Sequence, residues 1–268
     1  MIKKANSTNS LEIFNLISPL LPNNFIVKSG SKCLRDNLRR GNYISFVKVV
    51  DNELIGHIGV LINKNFALID ALAIREDNRN KGYAKSLVKK AVNYCNRIKS
   101  IDYIVTYVTL NNSYSEKIFD NKFKPVGISF IVNDSKKILD LELALCKLKN
   151  NKKICFEVDF LGNYCNEICK DYKTIGIKIS DKRKIPKKIK FNSKFFYEVD
   201  LFNSSAKDLI FYLSKNNYIY TGLLPSGKDN FKTIGFIKNN FKGYKISYKL
   251  DNVSRRNFIL QKVRILNS

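Results

Sequence analysis

The 268-residue chain has no tryptophan, a single methionine, five prolines and one histidine. No apolar run approaches the roughly 18 residues that a membrane-spanning helix needs, which excludes an integral helical membrane protein. The opening MIKKANSTNS has neither an apolar core nor a small-residue cleavage site, so no secretory leader is expected and the expected compartment is the cytoplasm. Six cysteines are present (Cys33, Cys95, Cys146, Cys155, Cys165 and Cys169), and none forms a Cys-x-x-Cys pair. Cys165 and Cys169 are spaced to share one helix face. The lone histidine, His57, is far from them in sequence, so they read as buried reduced thiols and no metal is expected.

Apolar residues make up 44% of the chain, enough for a normal core, and a mainly disordered chain is excluded despite 26% charged residues. At about 150 residues per domain the length suggests two domains or one large one. Lysine and arginine total 48 against 23 acidic residues, a net charge of +25. Residues 1–150 hold 24 basic and 13 acidic residues, and 151–268 hold 24 and 10, so the excess divides as +11 and +14. Such a charge invites a nucleic-acid reading. The even spread, with abundant Lys, Asn, Ile, Phe and Tyr, favours A/T-biased codon usage instead. The one dense cluster, Asp181–Lys190, reads as an exposed loop between strands.

Apolar spacing predicts a helix over 10–21, ending near Pro19 and Pro22, and a short helix over Lys32–Arg40 stopped by Gly41. Strands follow at Tyr43–Val50 and Leu54–Ile62, joined by an Asp51-Asn52 turn, and at Phe66–Ile74. A polar loop (Arg75–Lys81) leads into a helix from about Gly82 to Arg97, with Ala84, Leu87, Val88, Ala91, Val92 and Cys95 on its apolar face. A strand at Tyr103–Leu110, a short helix near Ser113–Asp120 and strands at Pro125–Val132 and Leu139–Lys147 complete the first half. This is an antiparallel meander followed by a strand–helix–strand unit, whose two strands must be parallel. After a charged junction at Lys147–Lys153, the second half reads as helix (Asp159–Tyr172), strand (Thr174–Ser180), strand (Lys194–Phe202), helix (Ser204–Lys215), strand (Tyr218–Leu223) and strand (Phe231–Ile237). The fold class is therefore α/β, of the mixed α+β kind, with domains expected at 1–148 and 149–268.

The segment Asp70–Leu87, DALAIREDNRNKGYAKSL, carries the chemistry. A strand feeds a polar loop, and the loop feeds a helix with Gly82 in its first turn. Unbonded N–H groups at a helix start attract an anion, and the helix dipole adds to this. Gly82 lets a ligand approach the backbone, and small Ala84 does the same one step on. Arg79, Lys81 and Lys85 add positive charge. The arrangement suits a pyrophosphate, although an ordinary strand–loop–helix connection has the same outline. The Gly-x-x-x-x-Gly-Lys-Ser/Thr and Gly-x-Gly-x-x-Gly phosphate loops are absent.

Arg79-x-x-Gly82-x-Ala84, after an apolar strand, resembles the acyl-CoA pyrophosphate loop of the GCN5-related N-acetyltransferase (GNAT) family. Its flanks, Ile69-Asp70-x-Leu72-Ala73-Ile74 before it and Ser86-Leu87-Val88 after it, strengthen the resemblance. So do Asn111-Asn112-Ser113-Tyr114-Ser115-Glu116-Lys117-Ile118-Phe119 and Phe123-Lys124-Pro125-Val126-Gly127, which look like the family's cofactor-side helix and closing strand. The match covers roughly residues 40–132. Asn111 stands where one branch of the family has histidine, and Phe119 where the family often has a tyrosine acid.

The resemblance implies a mixed central sheet flanked by helices, and transfer of an acetyl or other acyl group from acetyl-CoA to an amine. The amine would belong to a small molecule or a peptide. The backbone of Leu72, Ala73 and Ile74 would bond the pantetheine arm as an added strand. The N–H groups of Arg79, Asn80, Lys81, Gly82, Tyr83 and Ala84 would hold the pyrophosphate, with Asn112 and Ser115 contributing further on. Asp70 would act as base through water, with His57 as a second candidate, because the attacking amine must lose a proton. Tyr114, or Tyr107, would replace the missing acid. Catalysis would come largely from positioning the two substrates together.

The stretch Tyr218-Ile219-Tyr220-Thr221-Gly222-Leu223-Leu224-Pro225 resembles the C-terminal half of two-domain members, a degenerate second copy that walls the acceptor cleft. It has no Arg-x-x-Gly-x-Ala loop, so no second CoA site is expected. Phe195-Phe196-Tyr197 reads as a core strand rather than a base-stacking platform. Two alternatives remain at this level: an inactive relative that binds acyl-CoA or another anion, and a basic protein associated with RNA or the ribosome.

Overall fold

Three apolar stretches separated by short polar turns build the first sheet. The structure is a computed structural model that describes residues 1–63, 65–109, 113–119, 123–133, 138–149, 154–157, 177–180, 190–191, 196–200, 210, 212–213, 215–216, 218–224, 233–238 and 245–247. Its chain divides into two compact units, Met1–Thr106 and Tyr107–Ser268.

In the first unit, β2 (Tyr43–Val50) and β3 (Glu53–Ile62) form an antiparallel hairpin. Its turn residues Asp51 and Asn52 have φ of 47° and 63°, the left-handed pair that a tight two-residue hairpin demands. The meander continues into β4 (Phe66–Ile74), antiparallel to β3. The helix α3 (Tyr83–Arg97) then crosses over to β5 (Tyr103–Thr109), parallel to β4, as the strand–helix–strand pattern requires. A short β1 (Ile2–Lys4), which sequence pattern did not indicate, pairs antiparallel with β2. The result is a mixed sheet of order β1-β2-β3-β4-β5 flanked by helices.

Strand alternation sends side chains to two covered faces. Tyr43 and Val47 join Ile13 and Ile17 of α1 (Ser10–Leu20) and Ile26 and Leu34 of α2 (Phe25–Arg40) in one buried cluster. Phe46 points the other way, its ring 5.4 Å from that of Tyr94 on α3. Each fully buried side chain of this size contributes about 1.5–3 kcal/mol. On α3 the buried residues are Leu87, Val88, Ala91, Val92 and Cys95, the stripe expected from the sequence apart from half-buried Ala84.

The first helix ends as expected, and the second gains a turn at its start. Pro19 lies inside the last turn of α1, where its missing N–H removes one rung without stopping the helix. Ahead of the expected Lys32–Arg40 helix, α2 gains an extra turn from Phe25, because the Asn24 side chain accepts the Ile26 N–H at 2.9 Å and caps it. Gly30, with φ 82° and ψ 165°, then breaks the helix before it resumes. Among the described residues no helix is long and apolar enough to cross a membrane.

In the second unit, α4 (Ser113–Ile118) precedes the hairpin of β6 (Lys124–Asn133) and β7 (Ile138–Leu148). A parallel pair is formed by β8 (Ile154–Glu157) and β9 (Ile177–Ser180). The larger sheet adds β10 (Lys190–Phe191), β11 (Phe196–Asp200), β12 (Tyr218–Leu223) and β13 (Thr233–Lys238), in the order β7-β6-β12-β13-β11-β10. A last strand, β14 (Lys245–Ser247), runs parallel to β7. Strand β12 meets β6 where Gly222 pairs with Gly127. A Cβ on Gly222 would lie 2.5 Å from the Gly127 Cα, and its φ of 113° is itself open mainly to glycine. The expected helix at 159–172, the basic run up to residue 189 and positions 111 and 112 lie outside the described residues. Cys165 and Cys169 fall in that group, whereas Cys33 is half-buried and Cys95 and Cys146 are buried.

Candidate active site

The site starts from an irregularity in β4. His57 of β3 pairs with Ala73, yet Gly59 pairs with Asp70, so Ala71 and Leu72 together oppose Ile58. That two-against-one count is a β-bulge. Ala71 takes a left-handed φ of 49°, which costs an alanine about 1 kcal/mol or more. Side chains occupy both of its backbone polar groups. Its N–H bonds the Asp70 carboxylate, and its carbonyl accepts from His57 Nδ1 at 2.8 Å.

His57 is fully buried and makes a second bond, 3.0 Å from Nε2 to Ser45 Oγ. A carbonyl can only accept, so Nδ1 carries the proton and Nε2 accepts from the Ser45 hydroxyl. Burial lowers the pKa of His57 to about 4, against the weaker opposing effect of the Ala71 carbonyl. The imidazole is therefore neutral at pH 7, and its one lone pair is already engaged. It is placed to hold the bulge rather than to take a proton from a substrate.

Asp70 lies on the same face of the sheet, half-buried, with both carboxylate oxygens accepting from Asn24 Nδ2 at 2.9 and 3.1 Å. Burial raises its pKa, opposed by the bonds from Asn24 and the Ala71 N–H. A raised carboxyl pKa makes a better proton acceptor. Beside it the Tyr43 hydroxyl is buried with no hydrogen-bond partner, and burial together with the Asp70 charge holds its pKa well above the usual value. Asn24, Tyr43 and Ser45 were not identified from sequence. Asn24 carried one local signal, as a helix-capping residue type before Phe25; the other two read only as strand positions.

Beyond the bulge, the edge of β4 that faces away from β3 changes role. The Arg75 N–H reaches the Ile55 carbonyl at 2.8 Å, so Arg75 and Ala73 direct their polar groups toward β3. Antiparallel alternation then turns the C=O of Leu72 and the N–H and C=O of Ile74 to the other side. The parallel ladder with β5 runs from Phe66↔Tyr103 to Ile69↔Thr106, and among the described residues no register continues past it. Leu72 and Ile74 thus present an edge to which an extended ligand can add. The Ile74 carbonyl also accepts from Arg79 Nε at 3.2 Å, which ties the following loop back to the strand.

That loop is held at both ends. Arg75 pairs with Glu53 at 2.7 Å and Asp77 at 3.0 Å, and a 3-10 turn covers Glu76–Asn78. Asn80 and Gly82 both adopt left-handed φ, 63° and 77°. Such alternation gathers successive N–H groups into an anion-binding concavity. Gly82 is the N-cap of α3 and supplies no side-chain cap, and the helix's first turn has no acidic residue. A Cβ at Gly82 would meet no atom within 4 Å, so the space before the helix start is open. Lys81 and Lys85 are exposed around it, and Lys81 Nζ also reaches Asn78 Oδ1 at 3.4 Å. Uncapped N–H groups, open space and positive charge are what a pyrophosphate requires, so this chain's residues fit that part of a CoA molecule.

The loop residues Arg79, Asn80, Lys81, Gly82, Tyr83 and Ala84 thus follow the Leu72–Ile74 edge and are tied to it by Arg79, whereas Asp70 and His57 hold the bulge at Ala71. Tyr114 and Ser115 belong to α4 of the second unit, and Asn112 lies outside the described residues. Phe119 is buried, with its ring 5.2 Å from Phe123, and serves as core. Among the described residues no group of three His, Cys, Asp or Glu side chains gathers as a metal site would.

The sequence model of the acetyltransferase (GNAT) family matches residues 11–123. No curated protein sequence matches the chain. Similar solved structures include Arabidopsis thaliana NAA60 in complex with acetyl-CoA, at 15% identity over 56% of this chain and 98% of that one, with a TM-score of 0.47. A GNAT-family acetyltransferase from Streptococcus pneumoniae gives 14% identity over 55% and 98%, with a TM-score of 0.48. The ribosomal-protein-alanine N-acetyltransferase of Brucella melitensis gives 13% over 55% and 99%, with a TM-score of 0.47. The meander, crossover helix and uncapped loop all lie inside the span that the acetyltransferase (GNAT) family model matches, residues 11–123.

Proposed function

We propose that the protein is an N-acetyltransferase that moves an acetyl or related acyl group from acyl-CoA to an amine on a small molecule or peptide. The observation that carries this reading is the uncapped start of α3. The left-handed pair Asn80 and Gly82 lies in the loop after a bulged strand whose Leu72 and Ile74 edge is turned away from β3. In this reading the loop N–H groups of Arg79–Ala84 hold the pyrophosphate, and Leu72–Ile74 bond the pantetheine amides. The amine nitrogen attacks the thioester carbonyl carbon, the C–S bond breaks, and the proton lost by nitrogen passes through water to Asp70. The raised pKa of Asp70 supports that role. Tyr114 is the proposed donor to the departing thiolate, on sequence grounds. Residues 1–148 form the acyltransferase domain, and 149–268 form a degenerate GNAT-like half without a CoA loop.

Thermal unfolding with acetyl-CoA and CoA tests the reading, because a ligand that binds only the folded chain raises the midpoint as its concentration rises. Wild type and Gly82→Asn should both respond, since asparagine tolerates left-handed φ. Gly82→Glu, which sets a carboxylate in the anion site, should not. A flat response of the wild type to millimolar acyl-CoA would refute the proposal.

A further inference from the structure

We infer that His57 is a positioning residue, which fixes the peptide between Ala71 and Leu72 so that the Leu72 N–H is aimed at the acyl-CoA thioester carbonyl. The inference rests on the acyl-transfer reading above and adds a role that the loop and Asp70 do not supply. At the bulge the β3–β4 ladder is interrupted, and among the described residues no ladder pair holds that peptide. His57 sets it instead, because its Nδ1–H binds the Ala71 carbonyl at 2.8 Å. Every peptide bond described is trans. In a trans peptide the N–H lies antiparallel to the carbonyl before it. Holding the Ala71 C=O toward His57 therefore turns the Leu72 N–H away from His57, on the side where the ladder to β5 has ended. A donor held in advance at that place stabilises negative charge growing on a carbonyl oxygen without reorganising.

Three further features fit this role better than that of a core histidine. Ser45 donates to Nε2 at 3.0 Å, which locks the tautomer that puts the proton on Nδ1. The Asp70 carboxylate takes the Ala71 N–H, so the bulge is clamped from both sides by side chains of one face. The held residue is an alanine in left-handed φ, a conformation it would leave without restraint. The Ser45–His57–Ala71 line spans β2, β3 and β4 and ends at the peptide beside the proposed reaction centre.

The test uses the full chain and reads the thioester directly, independently of any acceptor. Binding of acetyl-CoA and of CoA is measured by calorimetry for wild type, His57→Leu, His57→Asn and Ser45→Ala. The carbonyl stretch of carbonyl-13C acetyl-CoA is recorded bound to each. CoA has no thioester carbonyl, so its affinity should not change. The preference for acetyl-CoA over CoA should fall about three- to tenfold in His57→Leu, the worth of one hydrogen bond, with the carbonyl band moving toward its free position. Asparagine places an amide N–H where Nδ1–H stood, so His57→Asn should restore both readouts. Ser45→Ala, which frees the tautomer, should show a smaller shift of the same sign and carries the test if His57→Leu does not fold. CoA binding with an unchanged band and preference in both His57→Leu and Ser45→Ala would overturn the inference alone. Failure of wild type to bind either CoA species would overturn the acyl-transfer reading and the inference together.

Discussion

Acidification should destabilise this protein through one side chain. In the unfolded chain His57 has an ordinary pKa of 6.5, and in the folded chain burial lowers it to about 4. Between these values the unfolded state binds a proton that the folded state does not, so stability is full above pH 6.5 and falls as the pH drops toward 4. At 1.36 kcal/mol per pKa unit the loss is about 2 kcal/mol at pH 5 and about 3 kcal/mol at pH 4. For a chain of this size that is a fall in the unfolding midpoint of roughly 6–12 °C across the window. Asp70 works in the opposite sense, because its raised pKa lets the folded state take up a proton. Thermal unfolding of wild type and His57→Asn from pH 7.5 to 4.5 separates the two. The variant has no group titrating there at position 57, so the difference in midpoint between the two proteins should narrow as pH falls, with a slope approaching one proton. Parallel curves would show that His57 is not buried in the neutral form, and the account of the bulge clamp would fail with it.

Three further outcomes follow from the geometry. Gly59→Ala should cost about 1–3 kcal/mol in chemical denaturation, because its Cβ would collide with the buried ring of Tyr43; a neutral effect would place that ring elsewhere. Gly222→Ala adds a left-handed φ penalty to a 2.5 Å backbone clash with Gly127, so a loss of more than about 3 kcal/mol, or no folded second unit by hydrogen exchange, is expected. Asp70→Asn should leave CoA binding within about twofold and lower turnover at neutral pH by about 10²-fold, the usual worth of a general base. Recovery of its turnover at high pH, where the amine is already deprotonated, would support the base role. Full activity at pH 7 would end it.

The sequence by itself determined the elements whose signals are local. Apolar runs of strand length placed β2, β3, β4, β5 and β12, and helical spacing placed α1 and α3. The Asp51-Asn52 turn and the open Gly82 loop were legible for the same reason, since each depends on the conformational freedom of a few neighbouring residues. What tertiary structure alone decided depends on contacts between distant residues. The bulge at Ala71 is a relation between two strands, so β4 read alone shows only an apolar run ending in Asp70-Ala71-Leu72. Asn24 meets Asp70 across 46 positions in sequence, and only packing brings the α2 cap over β4. Likewise Ser45, His57 and Ala71 lie on three successive strands, and their hydrogen bonds exist only in one register. His57 read alone is a titratable base on a strand. Surrounded on all sides, it becomes a neutral donor with a fixed tautomer, because burial disfavours its charge and its neighbours occupy both ring nitrogens.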